Sequence, residues 1–242
     1  MSDITFTEAV RKELMPTGHL RVAINLGNPV LAQGTPDQPQ GVTVAIAQAL
    51  ADALRAPLEL TCVDVARKSH QAISSGDVDL VFLAIDPARE DAVTFTAPYV
   101  IIEGVYVVRP DAPFTGSDSI DRDGVRIGVR EGSAYDLFLT RALQSATLVR
   151  ADEPTQAFEE QHLEVVAGVR QPMVDYVAGT GTRIVEPAFM QIRQAVGLPR
   201  HCSDEAVAAV AEFVEKLKSS GFIGDELRGS GQDATVAPPS TR

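Results

Sequence analysis

The chain has 242 residues, of which 45% are hydrophobic, and its 21 basic and 33 acidic residues give a formal net charge of −12. This length allows one large domain or two small ones, and the hydrophobic fraction is sufficient for a buried core. The negative charge argues against a nucleic-acid-binding protein, which normally carries a basic face, and against adhesion to an anionic membrane surface.

The N-terminal segment is relevant to the cellular location of the protein. Residues 1–18 (MSDITFTEAVRKELMPTG) are polar and lack the apolar run of a signal peptide. No run of about 18 apolar residues occurs anywhere in the chain, so no membrane insertion is predicted. We therefore expect a cytoplasmic protein if the chain is complete, and a periplasmic one if a leader has been removed.

The cysteines and histidines show no spacing typical of a metal site. Cys62 and Cys202 are far apart in the sequence, and we expect reduced thiols if the protein stays in the cytoplasm, with one disulfide as the alternative. The four histidines are scattered over mostly polar stretches, at His19, His70, His162 and His201. The sequence predicts neither a metal nor another cofactor.

The first half of the chain alternates strand-like and helix-like segments. Leu20, Val22 and Ile24 alternate before a Gly-Asn-Pro turn, which is typical of a strand. Apolar residues four positions apart, followed by a proline, predict the first of the helices. The predicted strands are 19–26, 58–65 and 78–85, with a further strand inside 92–110, and the predicted helices are 41–57 and 66–76.

The second half repeats this alternation after a joint rich in proline, glycine and aspartate at 109–118. The predicted strands are 124–129, 147–151, 163–169 and 182–186, and the predicted helices are 132–143, 153–161, 172–179 and 203–221. The last helix has the clearest signals, with Ser203 as N-cap, acids in its first turn, lysines near its end and Gly221 as its stop. We expect residues 229–242 to be loosely docked or disordered.

Alternating strands and helices predict an α/β fold with two units, each a mainly parallel sheet flanked by helices. Ligands of such sheets bind outside the carboxyl ends of the strands. Two units joined by a hinge therefore predict a binding site between them.

A single arginine follows the predicted strand at 78–85. Arg89 comes after a turn at Asp86-Pro87, and its planar fork of five donors suits a carboxylate or a phosphate. The alternative for Arg89 is a surface salt bridge of no specific function.

Four segments carry a family resemblance: SSGDVDLVFLAIDPARE (74–90), FTAPYV (95–100), GVRIGVREGSAYD (124–136) and VEKLKSSGF (214–222). In this order and spacing the chain resembles the type II periplasmic amino-acid-binding proteins, the family 3 solute-binding proteins of ABC transporters, over residues 18–228. The resemblance implies a two-lobed clamshell that buries its ligand on closure. Lobe 1 would be 1–110 with 191–242, lobe 2 would be 114–187, and the hinge strands would lie near 105–113 and 186–192.

The resemblance also implies how a carboxylate is held. Arg89 matches the arginine that grips the ligand's α-carboxylate in the family. Backbone N–H groups at Gly132, Ser133 and Ala134, where a helix begins, match the second carboxylate contact, which the helix dipole favours. The alternative role of Ser133 is a simple helix N-cap.

The groups that hold the α-ammonium in the family are not matched here. The hydroxyl position falls at Ala84, the acid position at Val169 with Arg170 beside it, and the aromatic position near Asn28. Ammonium recognition away from water needs acceptors and negative charge, and Arg170 would repel a cation. We therefore predict a small carboxylic acid without an α-ammonium, with a second acidic or polar group facing Arg170; the alternative for Arg170 is a solvent-facing residue.

Four further residues are weaker candidates for ligand contact. Asp86 fits a turn former but could touch ligand hydroxyls. Tyr135 fits core packing equally well, and Asn25 and Asn28 fit turns as well as hydrogen-bond donors.

We predict a monomeric binding protein without enzymatic activity, with an ABC permease as partner if it is exported. One alternative is a conventional amino-acid-binding component of an ABC transporter. Another is an enzyme resembling cyclohexadienyl dehydratase, for which Glu131 and Asp86 are the only acids that can be placed near the site. A third is a degenerate binder that serves a protein partner.

Overall fold

The computed structural model describes residues 6–240, and it divides the chain into two compact units. Unit 1 consists of Met1–Ile101 and Arg193–Arg242, and unit 2 consists of Ile102–Ile192. These boundaries differ from the expected lobes, which assigned residues up to 110 to lobe 1. Residues 102–110 group with unit 2 because their strand continues to residue 108 and pairs there with a strand of unit 2.

The secondary structure alternates as an α/β protein does. The helices are α1 (Glu8–Leu14), α2 (Val42–Leu54), α3 (Ala66–Ser74), α4 (Ala134–Ala142), α5 (Pro154–Glu160), α6 (Arg170–Thr180), α7 (Asp204–Ser219) and α8 (Phe222–Gly229). The strands are β1 (Leu20–Asn25), β2 (Gln33–Thr35), β3 (Gln38–Gln40), β4 (Leu58–Val63), β5 (Leu80–Ala84), β6 (Val93–Val108), β7 (Arg126–Arg130), β8 (Thr147–Ala151), β9 (Val165–Val169), β10 (Arg183–Pro199) and β11 (Thr235–Val236).

The sheet of unit 1 has the order β4-β1-β5-β10. β1 is parallel to both β4 and β5, and β10 is antiparallel to β5. All five residues of β5 are buried, as the nearly continuous apolar run predicted for a strand covered on both faces. Val81 and Leu83 of β5 pack with Ala23, Ile73 and other apolar residues into one core cluster.

The sheet of unit 2 has the order β6-β9-β7-β8. β7 is parallel to β8 and β9, and β6 is antiparallel to β9. Phe158 of α5 is fully buried in the core of this unit, with Val166 of β9 and Met173 of α6 in the same cluster. The guanidinium of Arg109 lies 4.3 Å from the centre of the Phe158 ring.

The end signals of α7 are confirmed. The hydroxyl of Ser203 accepts a hydrogen bond from the backbone N–H of Ala206, Asp204 and Glu205 lie in the first turn, and two lysines lie in the last. The acids and lysines complement the helix dipole at the two ends.

Several elements were not predicted. α1, the β2–β3 hairpin and α8 were missed, and β10 extends to Pro199 although the sequence predicted a strand only to residue 186. These elements are short or lack a clear period, so tertiary contacts decide their conformation rather than local pattern.

The C-terminal segment is more firmly held than expected. β11 pairs with β6, Ala237 is 3% exposed, and the buried ammonium of Lys218 donates to the carbonyl of Pro238 at 2.8 Å. The expectation of a loosely docked or disordered end at 229–242 is therefore wrong for the described part of this segment.

Removal of residues 234–242 is expected to lower the unfolding midpoint by roughly 5 °C, because it removes two ladder residues, one buried alanine and one of the two acceptors of Lys218, together worth about 2 kcal/mol; the other acceptor, Glu215, stays. The measurement is thermal unfolding followed by circular dichroism. A chain shortened only by residues 241–242 is the control, and equal midpoints for both chains would show that the segment adds no stability.

Cys62 and Cys202 are not joined by a disulfide in the structure. Within the described residues, none of the helices has the length and apolar character needed to cross a membrane. The same part of the chain contains no group of three or more side chains arranged to hold a metal ion.

Candidate functional site

The carboxyl end of β5 forms a tight turn in unit 1. The backbone N–H of Ile85 donates to the carbonyl of Arg193 on β10, which holds the end of the strand in the sheet. The carboxylate of Asp86 then accepts from the backbone N–H of Ala88 at 2.9 Å and caps a short 3-10 turn over Pro87–Arg89. The sequence interpretation of Asp86 as a turn former beside Pro87 is confirmed.

Arg89 lies inside the protein, because its side chain and backbone together are only 3% exposed. Its Nη1 donates to the carbonyl of Ala84, the last residue of β5, at 2.9 Å. Burial lowers the pKa of the Arg89 guanidinium to about 10, although the nearby Asp86 opposes this shift, so the group stays charged at neutral pH. The alternative of a surface salt bridge does not describe this residue.

Asn25 is the last residue of β1, and Asn28 lies in the loop that follows it in unit 1. The side-chain oxygen of Asn25 accepts from the N–H of Gly27 at 3.0 Å, and that of Asn28 accepts from the N–H of Val30 at 3.3 Å. Both are Asx-type contacts that shape a turn. The structure thus assigns a local role to each oxygen, in line with the turn alternative.

The turn between β7 and α4 in unit 2 differs from the expected anion site. The N–H of Gly132 donates to the carboxylate of Asp136 at 2.8 Å, and the N–H of Ser133 donates to the carbonyl of Arg130. The hydroxyl of Ser133 accepts from the N–H of Asp136, which makes it the helix N-cap. Two of the three predicted donors, Gly132 and Ser133, therefore donate within the protein, while Ala134 begins the helix.

Asp136 is the residue of this turn that sequence reasoning missed. Its side chain is almost fully buried, and it receives a hydrogen bond from Nε of Arg150 at 3.0 Å and another from the hydroxyl of Thr140 at 3.3 Å. An acid three positions after an N-cap serine is a signal that could have found it, since such acids commonly satisfy the first amides of a helix.

Tyr135 is 8% exposed, and burial raises the pKa of its hydroxyl. This environment matches the core-packing alternative for Tyr135. Glu131, one of the two acids considered for catalysis, is exposed.

β9 ends at Val169, as the sequence predicted, whereas α6 begins at Arg170, two residues before the predicted helix start. Nη1 and Nη2 of Arg170 donate to the carboxylate of Glu186 at 2.7 and 2.9 Å, and its Nε donates to Glu103. These bonds lower the pKa of the Glu186 carboxyl. One positive and two negative charges meet here, so the expectation that Arg170 would repel a cation is wrong.

The predicted residues thus form separate groups within each unit. In unit 1, Ala84, Asp86 and Arg89 lie together at the end of β5, whereas the two asparagines lie at the end of β1 and in the loop after it. In unit 2, the groups are the β7–α4 turn, at 132–135, and the β9–α6 junction, at Arg170.

Comparison with known proteins gives the family. The sequence profile of the bacterial extracellular solute-binding proteins, family 3, matches residues 20–225. The chain belongs to this family. Its α/β architecture is therefore the type II periplasmic-binding-protein fold, as the resemblance predicted.

Part of this family 3 protein is similar in sequence to a curated sensor protein. The virulence sensor protein BvgS of Bordetella bronchiseptica is 31% identical over 140 residues, which are 57% of this chain and 11% of that relative. The chain thus spans about a tenth of the length of the curated relatives it matches.

Two solved structures resemble the chain at low identity. The ancestral amino-acid-binding protein AncCDT-1, described as a precursor of cyclohexadienyl dehydratase, has a TM-score of 0.71 and 20% identity, and the match covers 90% of this chain and 97% of that one. The substrate-binding protein AbpA of an amino-acid ABC transporter from Streptococcus pneumoniae, bound to L-arginine, has a TM-score of 0.74 and 20% identity, with 93% and 97% covered.

Proposed function

We propose that this family 3 protein binds a small carboxylic acid that lacks an α-ammonium group, and that it does so without chemical conversion. The observation that carries the proposal is the buried, charged guanidinium of Arg89 beside Ala84. The closure of two lobes on the ligand, which the resemblance implies, stays a prediction.

The carboxylate half of the proposal rests on Arg89. It follows the carboxyl end of a strand in a parallel β1–β5 pair, where ligands of α/β sheets bind. A guanidinium offers a planar fork that matches a carboxylate with two hydrogen bonds. In a site of low dielectric, such a charge-assisted pair is stronger than a hydrogen bond between neutral groups.

The exclusion of an ammonium rests on Ala84 and Val169. Both occupy positions where the family resemblance implies an acceptor, and neither side chain has one. The acids near Val169 are Glu103 and Glu186, and both already pair with Arg170. A buried ammonium without its own acceptors would cost several kcal/mol, so amino acids are expected to bind less well than the matching ammonium-free acids.

The environments of Asp86 and Glu131, the two acids considered for catalysis, support binding rather than catalysis. Asp86 uses its carboxylate to cap the turn at Pro87–Arg89, and Glu131 is exposed rather than held in a dry site. General acid–base chemistry needs a group positioned at the reacting atoms. We propose that the bound acid is either delivered to an ABC permease, if the protein is exported, or sensed, and that the protein acts as a monomer.

The test is thermal unfolding of the protein with a panel of small acids, in which each amino acid is paired with its deamino, keto, hydroxy and dicarboxylate relatives. A ligand at a hundred times its Kd adds about 2.7 kcal/mol to the free energy of unfolding, which raises the midpoint by several degrees. We expect a rise with ammonium-free acids and a smaller one with amino acids. A rise with ordinary amino acids alone would identify a conventional amino-acid binder, and incubation followed by product analysis would reveal any turnover.

A further inference from the structure

Gln194 is a buried polar residue on β10 of unit 1 that sequence reasoning did not identify. It lies directly opposite Ala84 in the antiparallel pair of β10 with β5. Residues directly opposite each other in such a pair extend their side chains from the same face of the sheet, with Cβ atoms about 5 Å apart. Arg89 donates to the carbonyl of the same alanine, so Gln194 and Arg89 flank one residue at the carboxyl end of β5.

The environment of Gln194 is apolar. Gln194 is 6% exposed, and the next residues along the strand, Ala195 and Val196, are buried. Among residues 6–240, no hydrogen bond is made by the side-chain amide of Gln194. The amide atoms of Gln194 are not among the enclosed polar atoms that lack a partner, so they lie where solvent, and therefore a ligand, can reach them.

The chemistry of this amide defines what it can recognise. It has two N–H donors and one carbonyl acceptor, and it carries no charge. It can therefore accept from a hydroxyl or donate to a keto oxygen, but it cannot neutralise an ammonium. Ala84 has no polar side-chain atom, although the resemblance implies a hydroxyl there, and the opposite position in the register supplies a polar group in its place.

We propose that Gln194 determines the specificity of the site by binding a hydroxyl or keto group close to the carboxylate that Arg89 holds. The ligand class is then the short 2-hydroxy or 2-oxo carboxylic acids. This inference rests on the proposed function, and it names the substituent that the site recognises in place of the ammonium.

The experiment is isothermal titration calorimetry with sets of three short-chain acids that share one carbon skeleton: the unsubstituted acid, its 2-hydroxy form and its 2-oxo form. We expect the wild-type protein to bind a substituted acid about tenfold more tightly than the unsubstituted one, which is the size of one or two hydrogen bonds between neutral groups. Gln194→Met has a similar volume, and it is expected to bind the three acids of a set with similar affinities, so that the preference for the substituted acid is lost. Gln191→Met is the matched control on the same strand, where the glutamine is exposed, and it is expected to keep the preference.

A second readout does not depend on the variant. In a heteronuclear NMR spectrum of the wild-type protein, the side-chain amide resonances of Gln194 are expected to shift when a 2-hydroxy acid saturates the site, whereas those of Gln191 stay in place. Equal affinity of the wild-type protein for all three acids, or an unmoved Gln194 resonance at saturation, overturns the role of Gln194 and leaves the proposed function standing. If none of the acids binds the wild-type protein, the proposed function fails and this inference fails with it.

Discussion

Replacement of Arg89 with methionine is expected to weaken the binding of a small carboxylic acid by about 100-fold or more. Methionine retains much of the apolar volume but removes the charged donors, and loss of one partner of a buried charged pair costs roughly 3 kcal/mol or more. At a ligand concentration that adds about 2.7 kcal/mol to the stability of the wild-type protein, the variant would gain only about 0.4 kcal/mol.

The measurement is the ligand-induced change in the thermal midpoint, taken relative to each ligand-free variant, so that any loss of intrinsic stability in Arg89→Met is separated from loss of binding. Arg228→Met is the matched control, because the side chain of Arg228 is 73% exposed and lies on α8. Arg89→Lys keeps the positive charge but loses the planar guanidinium. We expect its affinity for the acid to fall between those of the wild-type protein and Arg89→Met. An undiminished ligand response in Arg89→Met would show that another group holds the carboxylate.

Replacement of Phe158 with alanine is expected to have the largest effect on stability. Phe158 is fully buried in the core of unit 2, and Arg109 both stacks on its ring and donates to its carbonyl at 3.2 Å. Truncation of a buried phenylalanine costs about 3–5 kcal/mol through lost transfer free energy and the remaining cavity. The stacked guanidinium adds to this loss.

The measurement for Phe158→Ala is urea unfolding followed by tyrosine fluorescence. The chain has no tryptophan and four tyrosines, and three of them, Tyr106, Tyr135 and Tyr176, lie in unit 2, so this signal reports mainly on the unit that carries the mutation. Val174→Ala is the control, because Val174 is 46% exposed and its truncation should change the free energy of unfolding by less than about 0.5 kcal/mol. Equal transition midpoints for the two variants would contradict the assigned core.

The fold could be predicted from the sequence where the pattern was long or continuous. The apolar run that became β5 and the capped α7 are examples, because burial on both faces and end signals leave a direct trace in the residues. β10 could not be predicted beyond residue 186, since its continuation, PAFMQIRQAVGLP, mixes polar and apolar residues, and its residues 194–197 are held by β5, which is distant in the sequence.

The candidate site was predictable only in part, for a similar reason. Arg89 was found because a turn and a strand end define its position locally. Gln194 was not found, because its relation to Ala84 exists only once the two strands pair in a particular register. The local charge around Arg170 was misjudged, because its partners Glu103 and Glu186 lie 67 and 16 residues away in the sequence.

The division of the chain has a consequence for the order in which the protein forms on the ribosome. Unit 2 is one continuous segment, whereas unit 1 is assembled from the two ends of the chain. Unit 2 can therefore emerge and fold while unit 1 still waits for its last strand and helices. Until β10 is synthesised, the edge of β5 that it will cover stays open to pairing with other chains. During translation, unit 1 is thus expected to keep an unpaired strand edge until residues 194–197 have been synthesised.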